Sequence, residues 1–342
     1  MARILYGVSP IGLGHATRSL VIAGLLRQAG VEVRLYSGGK AAEFLRTEVE
    51  VADIVSDPVP KVVGGEMRNA AMWYLRSWLA LRRTEGKTEK LFDDFNPDLI
   101  VCDEEFSGLL VAEKRGIKRV FISDELELGF ARSWLAKKIE ERVGRWYRRI
   151  QGMVDLLLIP DFGEDAGNRR YVEPIVRPLT KSRAEVLRDS GLPEEGRMVL
   201  LSMSGSGIGR FLVECALRAM QEISLPDAYT VVTGNRGAKM RGKGVYDLGL
   251  VRDNQNLVAA ADLVISTAGK STIDEAAFSG TSIIAIPIRY HAEQERNAAA
   301  LGYSYSDLER VSELVRDKIG RREAPRAFRG AENASRLILS ML

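Results

Sequence analysis

The sequence has few of the residues that mark disulfide-rich or metal-binding proteins. Its 342 residues include two cysteines and two histidines. Cys102 and Cys215 lie in apolar runs and give neither a disulfide framework nor the spacing of metal ligands, so we expect core thiols in a reducing compartment. The small number of histidines excludes a histidine-rich metal site.

A membrane-spanning segment and a strong net charge are also missing. No uninterrupted apolar run reaches the roughly 18 to 20 residues that cross a bilayer. A strand pattern already begins at residue 4, which leaves no room for a signal peptide. The formal net charge of +3 is nearly neutral for this length and does not suggest nucleic acid as a partner. We therefore expect a cytoplasmic protein in which any anion binding is local.

Length and pattern together predict an α/β protein of two domains. A chain of 342 residues exceeds the size at which a single core usually stops growing. Strand patterns alternate with helix patterns in two halves, separated by a stretch rich in glycine, proline and charge. We predict a first domain at 1–168, a linker at 169–183 and a second domain at 184–327, with a helix at about 328–342 that packs back on the first domain. A ligand cleft between the two halves follows.

The stretch from Val264 to Ala300 predicts half of a nucleotide site. A buried strand pattern ends at Ser266, a tight turn follows, and a helix pattern begins near Ser271. The unpaired N–H groups and the positive dipole end of such a helix suit a phosphate or a diphosphate, and Gly269 lets an anion approach the backbone. A second strand brings the polar segment 289–297 to the same edge of the sheet, where ligands of open α/β sheets bind.

Two nucleotide motifs are matched only in part. The tripeptide at 269–271 copies the end of a P-loop, but Val264 occupies the position of the required glycine, so ATP hydrolysis by this loop is not expected. The glycine pair in the first loop lacks the third glycine of a dinucleotide fingerprint, and the second strand lacks the acid that holds an NAD ribose. NAD is therefore not expected either.

The first loop, SPIGLGHATRS, contains a histidine at the start of a predicted helix. His15 follows Gly12 and Gly14, and a histidine there suits proton transfer or contact with a phosphate. The alternative is a residue at a helix start that bonds a backbone carbonyl. We favour a functional role, because the loop is of a type that binds ligands.

Acids follow two strand patterns, at 98–102 and 119–123. They are Asp103, Glu104, Glu105, Asp124 and Glu125. Carboxylates at the carboxyl ends of neighbouring parallel strands lie near the ligand edge of a sheet, although such acids often cap helices instead. Asp103 is the best placed, since an acid beside His15 would orient the imidazole and raise its basicity.

Two helix patterns, at 64–92 and 130–151, combine tryptophans with many arginines and lysines. A basic amphipathic helix with aromatic residues can lie on an anionic membrane surface. The other interpretation, which we favour, is a solvated helix whose tryptophan side packs into the core.

The turn SGSGIG, at 204–209, is a second candidate anion cradle. Gly205, Ser206 and Gly207 follow a strand pattern and precede a helix pattern, as a phosphate-binding turn does. Serine and glycine in such a turn can also serve its geometry alone.

Several motifs together resemble the GT-B glycosyltransferases, in particular the MurG-type enzymes of glycosyltransferase family 28 and their poorly characterised archaeal and bacterial relatives. The motifs are GLGHATRS after the first strand, ADLVISTAGKSTIDEAAFSGTSIIAIPI, and EQERNAAALGY. They span both predicted domains. The resemblance implies two Rossmann-like domains whose parallel sheets face a central cleft, and an inverting glycosyltransferase.

The resemblance also implies where the substrates bind. The second domain would bind a UDP-sugar, with UDP-N-acetylglucosamine as the first candidate. The implied donor contacts are Gly205, Ser206, Gly207, Val251 near the base, Gly269, Lys270, Ser271 and Thr272 around the diphosphate, Glu275 on the ribose, and Glu293 and Gln294 on the sugar. The first domain would hold the acceptor in the loop of Gly12, Gly14 and His15. The catalytic residues would be His15 with Asp103 or Glu105.

The implied reaction requires no cofactor and no metal. A general base removes the acceptor proton while UDP leaves, and backbone N–H groups and a helix dipole meet the charge of UDP. The chain has no Asp-x-Asp pair, the motif through which the other large transferase fold binds metal.

Alternatives to transfer stay open. A nucleotide-sugar hydrolase or epimerase of the same fold would use His15 on water or on the sugar ring. A non-catalytic sugar-nucleotide binding module would lack a use for His15. The acceptor is unidentified; if the basic helices touch lipid, the acceptor would be lipid-linked and the protein peripheral on the inner face of the membrane.

Overall fold

The chain folds into two compact units in the computed structural model. The described residues are 1–56, 58–124, 129, 131–203, 209–223, 225, 227–234 and 242–342. The first unit contains Met1–Lys61, Asn69–Val176 and Phe328–Leu342, and the second contains Val62–Arg68 and Arg177–Ala327. Within the described ranges, no helix is long and apolar enough to cross a membrane.

Strands and helices alternate along most of the chain. The strands are β1 (Arg3–Val8), β2 (Glu32–Ser37), β3 (Val51–Asp53), β4 (Lys61–Val63), β5 (Glu66–Arg68), β6 (Leu99–Asp103), β7 (Lys118–Ile122), β8 (Leu156–Ile159), β9 (Arg169–Tyr171), β10 (Arg197–Ser202), β11 (Ala228–Thr233), β12 (Val245–Gly249), β13 (Leu263–Ser266) and β14 (Ile283–Ala285). The α-helices are α1 (Gly14–Gln28), α2 (Gly39–Leu45), α3 (Ala70–Phe95), α4 (Ser107–Arg115), α5 (Trp134–Met153), α6 (Arg183–Asp189), α7 (Arg210–Ile223), α8 (Asn254–Ala260), α9 (Lys270–Ser279), α10 (Ala292–Ala300), α11 (Val311–Lys318) and α12 (Gly330–Leu339). A 3₁₀-helix at Tyr305–Arg310 precedes α11.

The first unit is built on a parallel sheet with the strand order β3-β2-β1-β6-β7-β8-β9. Its central strands β1, β6 and β7 are apolar except at their ends, as expected of strands covered on both faces. Helices α1, α2 and α12 pack on one face, and α3, α4 and α5 on the other. The strand order reverses between β1 and β6, and ligands of such folds bind at the carboxyl ends of the strands at this point.

The last helix belongs to the first unit. In α12, Ala334 and Ile338 are buried in one cluster with Ile22 and Leu26 of α1. At the start of α12, a side chain on Gly330 would collide with the backbone oxygen of Pro174. The close approach of this helix to the preceding chain therefore depends on glycine.

The second unit contains a parallel sheet with the strand order β12-β11-β10-β13-β14. Its strand order reverses between β10 and β13, so the turns that follow these two strands lie at its ligand-binding edge. The turn after β13 leads into α9. In the turn after β10, residues 204–208 lie outside the described part of the chain.

A hairpin from the N-terminal half of the sequence belongs to the second unit. β4 and β5 pair around Gly64 and Gly65, whose φ angles of 56° and 80° favour glycine. Met67 N donates to Arg289 O at 3.0 Å, and Arg289 N donates to Gly65 O at 2.8 Å. The helix predicted from residue 64 therefore begins only at Ala70, because the glycine pair turns the chain back.

Regular structure occupies part of the predicted linker at 169–183. β9 is the edge strand of the first sheet, so the first unit extends beyond residue 168, to Val176. Two of the three residues of β9 are arginines, which suit an exposed edge strand and carry no apolar signal. The sequence therefore gave no strand pattern at this place.

Candidate active site

His15 and Asp103 meet at the carboxyl edge of the first sheet. β1 and β6 pair in a register that sets Val8 beside Asp103. α1 begins at Gly14, after a turn in which Gly12 has a φ of 74°. His15 Nδ1 lies 2.8 Å from Asp103 Oδ1. The predicted contact between the histidine and this acid is confirmed.

Arg18, which the sequence analysis did not single out, binds the same carboxylate. Its Nε donates to Asp103 Oδ2 at 2.6 Å, and its Nη2 donates to Asp103 Oδ1 at 2.5 Å. Its Nη1 donates to both oxygens of Asp124, at 2.5 and 2.6 Å. Ser19 Oγ adds a further hydrogen bond to Asp103 Oδ2, at 3.0 Å. A signal was present in the sequence, because residues three apart on a helix share a face and Arg18 follows His15 by three.

The charges of this cluster offset one another in a buried place. The Asp103 side chain is fully buried, whereas the His15 side chain is 22% exposed. Burial acts to raise the pKa of Asp103, but Arg18 and His15 outweigh it and lower that pKa to about 2. Burial acts to lower the pKa of His15, but the nearby carboxylates outweigh it and the pKa is raised. The result is an ionised carboxylate behind an imidazole that solvent can reach.

Glu105 does not join this cluster, which corrects its predicted place beside His15. Its side chain is buried, and its Oε1 accepts from the Ser107 amide at 2.8 Å and from the Ser107 hydroxyl at 2.6 Å. Its Oε2 accepts from the Gly108 amide at 2.9 Å and from the hydroxyl of Tyr36. The carboxylate therefore satisfies the first N–H groups of α4, the capping role that strand-end acids often have.

Glu104, between these two acids, has an unusual backbone conformation. Its φ of 48° lies in the left-handed region, which is costly for a residue with a side chain and recurs at functional sites. Its Oε1 accepts from Ser123 Oγ at 2.5 Å and from the Tyr147 hydroxyl at 2.9 Å. Burial raises its pKa, while the nearby His15 acts in the opposite direction. Glu104 is therefore a further candidate for ligand contact at this edge.

At the second sheet, the turn after β13 presents the start of α9. Gly269 is the N-cap and has no side chain to bind the first N–H groups of the helix, which have no partners within the helix itself. Asn297 Nδ2 donates to Ala268 O at 3.0 Å and holds the turn. Lys270 Nζ contacts both oxygens of Asp274, at 2.7 and 2.9 Å. The diphosphate contacts predicted for Lys270, Ser271 and Thr272 would use the backbone N–H groups of this first helical turn.

Glu275, the predicted ribose ligand, is held by an arginine from the predicted linker. Arg177 donates to Glu275 Oε1 from Nε at 3.2 Å and from Nη2 at 3.0 Å. Its Nη1 donates to Arg252 O at 2.5 Å, one residue after Val251. Burial raises the pKa of Glu275, and Arg177 partly offsets this. Sequence reasoning missed Arg177 because an arginine in an aperiodic stretch has no pattern that sets it apart.

The predicted sugar contacts lie in the first turn of α10. Glu293 and Gln294 follow His291, the N-cap, whose Nδ1 accepts from Gln294 N at 3.5 Å. Gln294 Oε1 accepts from Ile288 N at 3.0 Å, which leaves its amide NH₂ group as the part that can bind a hydroxyl. Burial, together with Arg296, lowers the pKa of His291 to about 4. The predicted contacts Gly205, Ser206 and Gly207 lie outside the described residues.

Two sequence families match parts of the chain. The family described as Glycosyl transferase family 1 matches residues 2–128. The family described as Glycosyltransferase family 28 C-terminal domain matches residues 213–310. The second match contains the turn after β13, Glu275 and the start of α10.

Curated relatives match over longer stretches. An uncharacterized glycosyltransferase of Methanosarcina acetivorans is 26% identical over an alignment of 359 positions, gaps included, which covers 96% of this chain and 93% of the relative. The UDP-N-acetylglucosamine--N-acetylmuramyl-(pentapeptide) pyrophosphoryl-undecaprenol N-acetylglucosamine transferase of Halalkalibacterium halodurans is 22% identical over 273 residues, which cover 75% of this chain and 72% of the relative.

Solved structures agree on the fold. The spinosyn rhamnosyltransferase SpnG complexed with thymidine diphosphate has a TM-score of 0.65 to this chain, at 16% identity, with 100% of this chain and 96% of that one covered. At this level of identity, the likeness establishes the architecture: two Rossmann-like halves with parallel sheets.

Proposed function

Since this chain is a glycosyltransferase of the GT-B fold with a C-terminal domain of the family 28 type, we propose that it is an inverting, metal-independent enzyme. It would move a sugar from a UDP-sugar, with UDP-N-acetylglucosamine as the first candidate, to a hydroxyl of an acceptor at the edge of the first sheet. The observation that carries the proposal is the hydrogen bond between His15 and the fully buried Asp103.

His15 is the general base in this scheme. A carboxylate with a pKa of about 2 only accepts hydrogen bonds near neutral pH, so His15 Nδ1 carries the proton that faces Asp103, and Nε2 is left to take a proton from the acceptor. The acceptor oxygen then bonds to the anomeric carbon from the face opposite UDP. The bond from that carbon to the diphosphate oxygen breaks, and its electron pair leaves with UDP. Asp103 stabilises the imidazolium that forms.

Glu275 offers one oxygen to the donor. Arg177 binds Oε1, and no hydrogen bond among the described residues uses Oε2. A carboxylate oxygen pairs well with hydroxyl donors, and UDP has two ribose hydroxyls where thymidine diphosphate has one. This favours UDP, the nucleotide in the name of the Halalkalibacterium relative, over the thymidine diphosphate bound by SpnG.

The start of α9 supplies the charge stabilisation for the leaving group. The N–H groups of its first turn, which no N-cap side chain binds, and the positive end of its dipole suit the diphosphate, whose charge grows as the bond to the sugar breaks. The proposal therefore needs no metal ion, and we expect full activity in the presence of EDTA.

Calorimetric titration with UDP, thymidine diphosphate, GDP and NAD, in EDTA, tests the donor site. We expect UDP to bind tightest and Glu275→Ala to weaken UDP at least tenfold, about 1.4 kcal/mol. The exposed Glu141→Ala serves as the control. If no nucleotide binds, or if Glu275→Ala binds UDP as the wild type does, the proposed donor site is wrong.

Product analysis separates transfer from the alternatives. With UDP-N-acetylglucosamine and a panel of acceptors, a transferase releases UDP only when an acceptor is present. Steady release of free sugar in buffer would identify a hydrolase, and interconversion of the sugar nucleotide would identify an epimerase. UDP binding with no turnover that depends on His15 would favour a binding module.

The surface of α3 supports a lipid-linked acceptor. Met72, Leu75, Trp78 and Leu79 are 44 to 53% exposed, and Arg76, Arg82 and Arg83 on the same helix are exposed as well. At the start of α5, Trp134 is 69% exposed. The expectation that the tryptophans of these helices pack into the core holds for Trp146, which contacts Phe106. Trp73 is partly buried and donates to Pro58 O at 2.6 Å, whereas Trp78 and Trp134 are exposed.

Exposed apolar side chains among arginines are the pattern of a helix that lies on an anionic membrane. We propose that α3 docks on such a surface and brings the enzyme to its acceptor. Vesicles with and without phosphatidylglycerol test this by sedimentation. We expect binding to anionic vesicles only, and loss of binding in Trp78→Ala/Leu79→Ala, with Arg218→Ala of α7 as the control. The absence of any binding at low salt would rule the idea out.

A further inference from the structure

We propose that Arg18 is a positioning residue that sets the basicity of His15, by dividing its charge between Asp103 and Asp124. The proposal rests on the proposed role of His15 as the base. It adds Arg18 to the pair of His15 and Asp103, and it assigns a role to Asp124, the acid that follows β7.

The geometry is that of a fixed fork between two carboxylates. The Arg18 side chain is almost completely buried and uses all three of its nitrogens. Nε and Nη2 bind the two oxygens of Asp103, and Nη1 binds the two oxygens of Asp124. Only a planar guanidinium can serve two carboxylates in this way; an ammonium on a flexible stem cannot.

Arg18 and His15 compete for the same oxygen. Asp103 Oδ1 lies 2.8 Å from His15 Nδ1 and 2.5 Å from Arg18 Nη2. Arg18 Nη2 also lies 3.0 Å from His15 Nδ1, which carries the proton directed at Asp103, so two N–H donors approach each other here, and they repel as two cations once His15 is protonated. The positive charge of Arg18 therefore partly neutralises Asp103, and the carboxylate stabilises a protonated His15 less than it would alone.

Asp124 affects how strongly Arg18 neutralises Asp103. Its carboxylate accepts a hydrogen bond from Arg18 Nη1, and its negative charge also acts on His15 directly. Among the described residues, Glu104, from the end of β6, also interacts electrostatically with His15. With His15 neutral, Arg18 leaves the pair of aspartates one negative charge in excess, and protonation of His15 removes this excess. In this cluster, the positive charge of Arg18 therefore lowers the basicity of the imidazole, and the negative charges of Asp103 and Asp124 raise it.

This arrangement predicts shifts of opposite sign. Arg18→Met leaves the full charge of Asp103 to His15, so the pKa of His15 should rise by roughly one unit. Asp124→Asn removes an anion and gives Arg18 to Asp103 alone, so the pKa of His15 should fall. Arg18→Lys keeps the charge without the fork, and should give a value between those of the wild type and Arg18→Met.

Imidazole titration by nuclear magnetic resonance measures these shifts without any substrate. The chain has two histidines, so the spectrum contains two imidazoles, and a His291→Gln variant assigns them. A purely structural role for Arg18 would change stability but would not move His15 in opposite directions. Shifts of the same sign in Arg18→Met and Asp124→Asn, or shifts below about 0.3 units in both, would overturn the proposal.

Two further measurements keep the test decisive if a variant does not fold or if the proposed reaction is wrong. If Arg18→Met does not fold, the sign of the shift in Asp124→Asn together with that in Arg18→Lys still decides. UDP affinity should be unchanged in all three variants, and the acidic limb of the pH–rate profile should move with the measured pKa of His15. Opposite shifts without any transferase activity would keep the role of Arg18 and reject the proposed reaction.

Discussion

The acids at the ligand edges of the two sheets differ in how many of their carboxylate oxygens already accept hydrogen bonds from the protein. At the first sheet, both oxygens of Asp103 are occupied, by His15, Arg18 and Ser19. At the second, Arg177 occupies one oxygen of Glu275. An arginine lies beside each acid, buried at Asp103 and partly buried at Glu275, so the presence of an arginine does not distinguish them. The number of occupied oxygens does: a saturated carboxylate acts through its neighbour, whereas one with an uncommitted oxygen can bind a ligand directly.

The largest expected effect separates chemistry from donor binding. His15→Ala should lower kcat by about 10³-fold, since general base catalysis contributes between 10² and 10⁴. The Kd for UDP should stay within twofold, because His15 belongs to the first edge only. Steady-state kinetics and calorimetry on the same preparation measure both. Equal losses in kcat and in UDP affinity would break the division between the two edges.

A second prediction contrasts Asp103 with its neighbour. Glu105→Ala should lower the free energy of unfolding by roughly 3 kcal/mol, because it leaves buried donors of α4 and Tyr36 unpaired. Urea unfolding measures this, with Glu141→Ala as the exposed control. The kcat of the folded fraction should be nearly unchanged. If Glu105→Ala is as stable as the wild type but has a much lower kcat, Glu105 acts in catalysis and its capping role is not its main one.

The two histidines sharpen the comparison through pH. Burial holds the folded-state pKa of His291 at about 4, below its unfolded value near 6.5. As pH falls from 6.5 towards 4, the unfolded chain therefore takes up a proton that the folded chain refuses, and stability is lost. The cost is on the order of 2 kcal/mol by pH 5. His291→Gln should lack this component, which urea unfolding of both proteins at pH 7 and pH 5 reveals; parallel losses would contradict it.

The smallest effect concerns Arg177. Arg177→Met should weaken UDP about tenfold, because Glu275 loses the group that orients it and that offsets the rise in its pKa caused by burial. Since a higher pKa favours the neutral carboxyl at low pH, the loss of affinity should be smaller at high pH than at low pH. Arg177→Lys should retain part of the affinity. Calorimetry at pH 6 and pH 8 tests this, and unchanged affinity in Arg177→Met at both values would show that the arginine is not needed at the donor site.

The sequence allowed prediction where function follows strand order. Asp103 ends β6, and His15 lies in the first turn of α1, the helix that follows the neighbouring strand β1, so their contact follows from topology. The turn at Gly269 and the helix that carries Glu275 followed from the pattern at 263–279, whereas the role of Glu275 at the ribose comes from the family resemblance and stays a prediction. The spacing of three from His15 was a signal for Arg18 and nothing marked Arg177, but neither could be ranked above the many other arginines, because only the folded backbone shows which arginines lie beside the acids. The hairpin was missed since its short strands carry no periodicity.

The hairpin at β4 and β5 bears on how this protein can be engineered. Glu66 pairs with Arg289 two residues before His291, the Tyr305 hydroxyl donates to Gly64 O at 2.8 Å, and Tyr290 is held at a φ of 71°. A donor half cut from the sequence at residue 177 would lack this support beside the predicted sugar contacts. Chimeras that exchange donor specificity should therefore take residues 61–68 and the C-terminal half from the same parent protein.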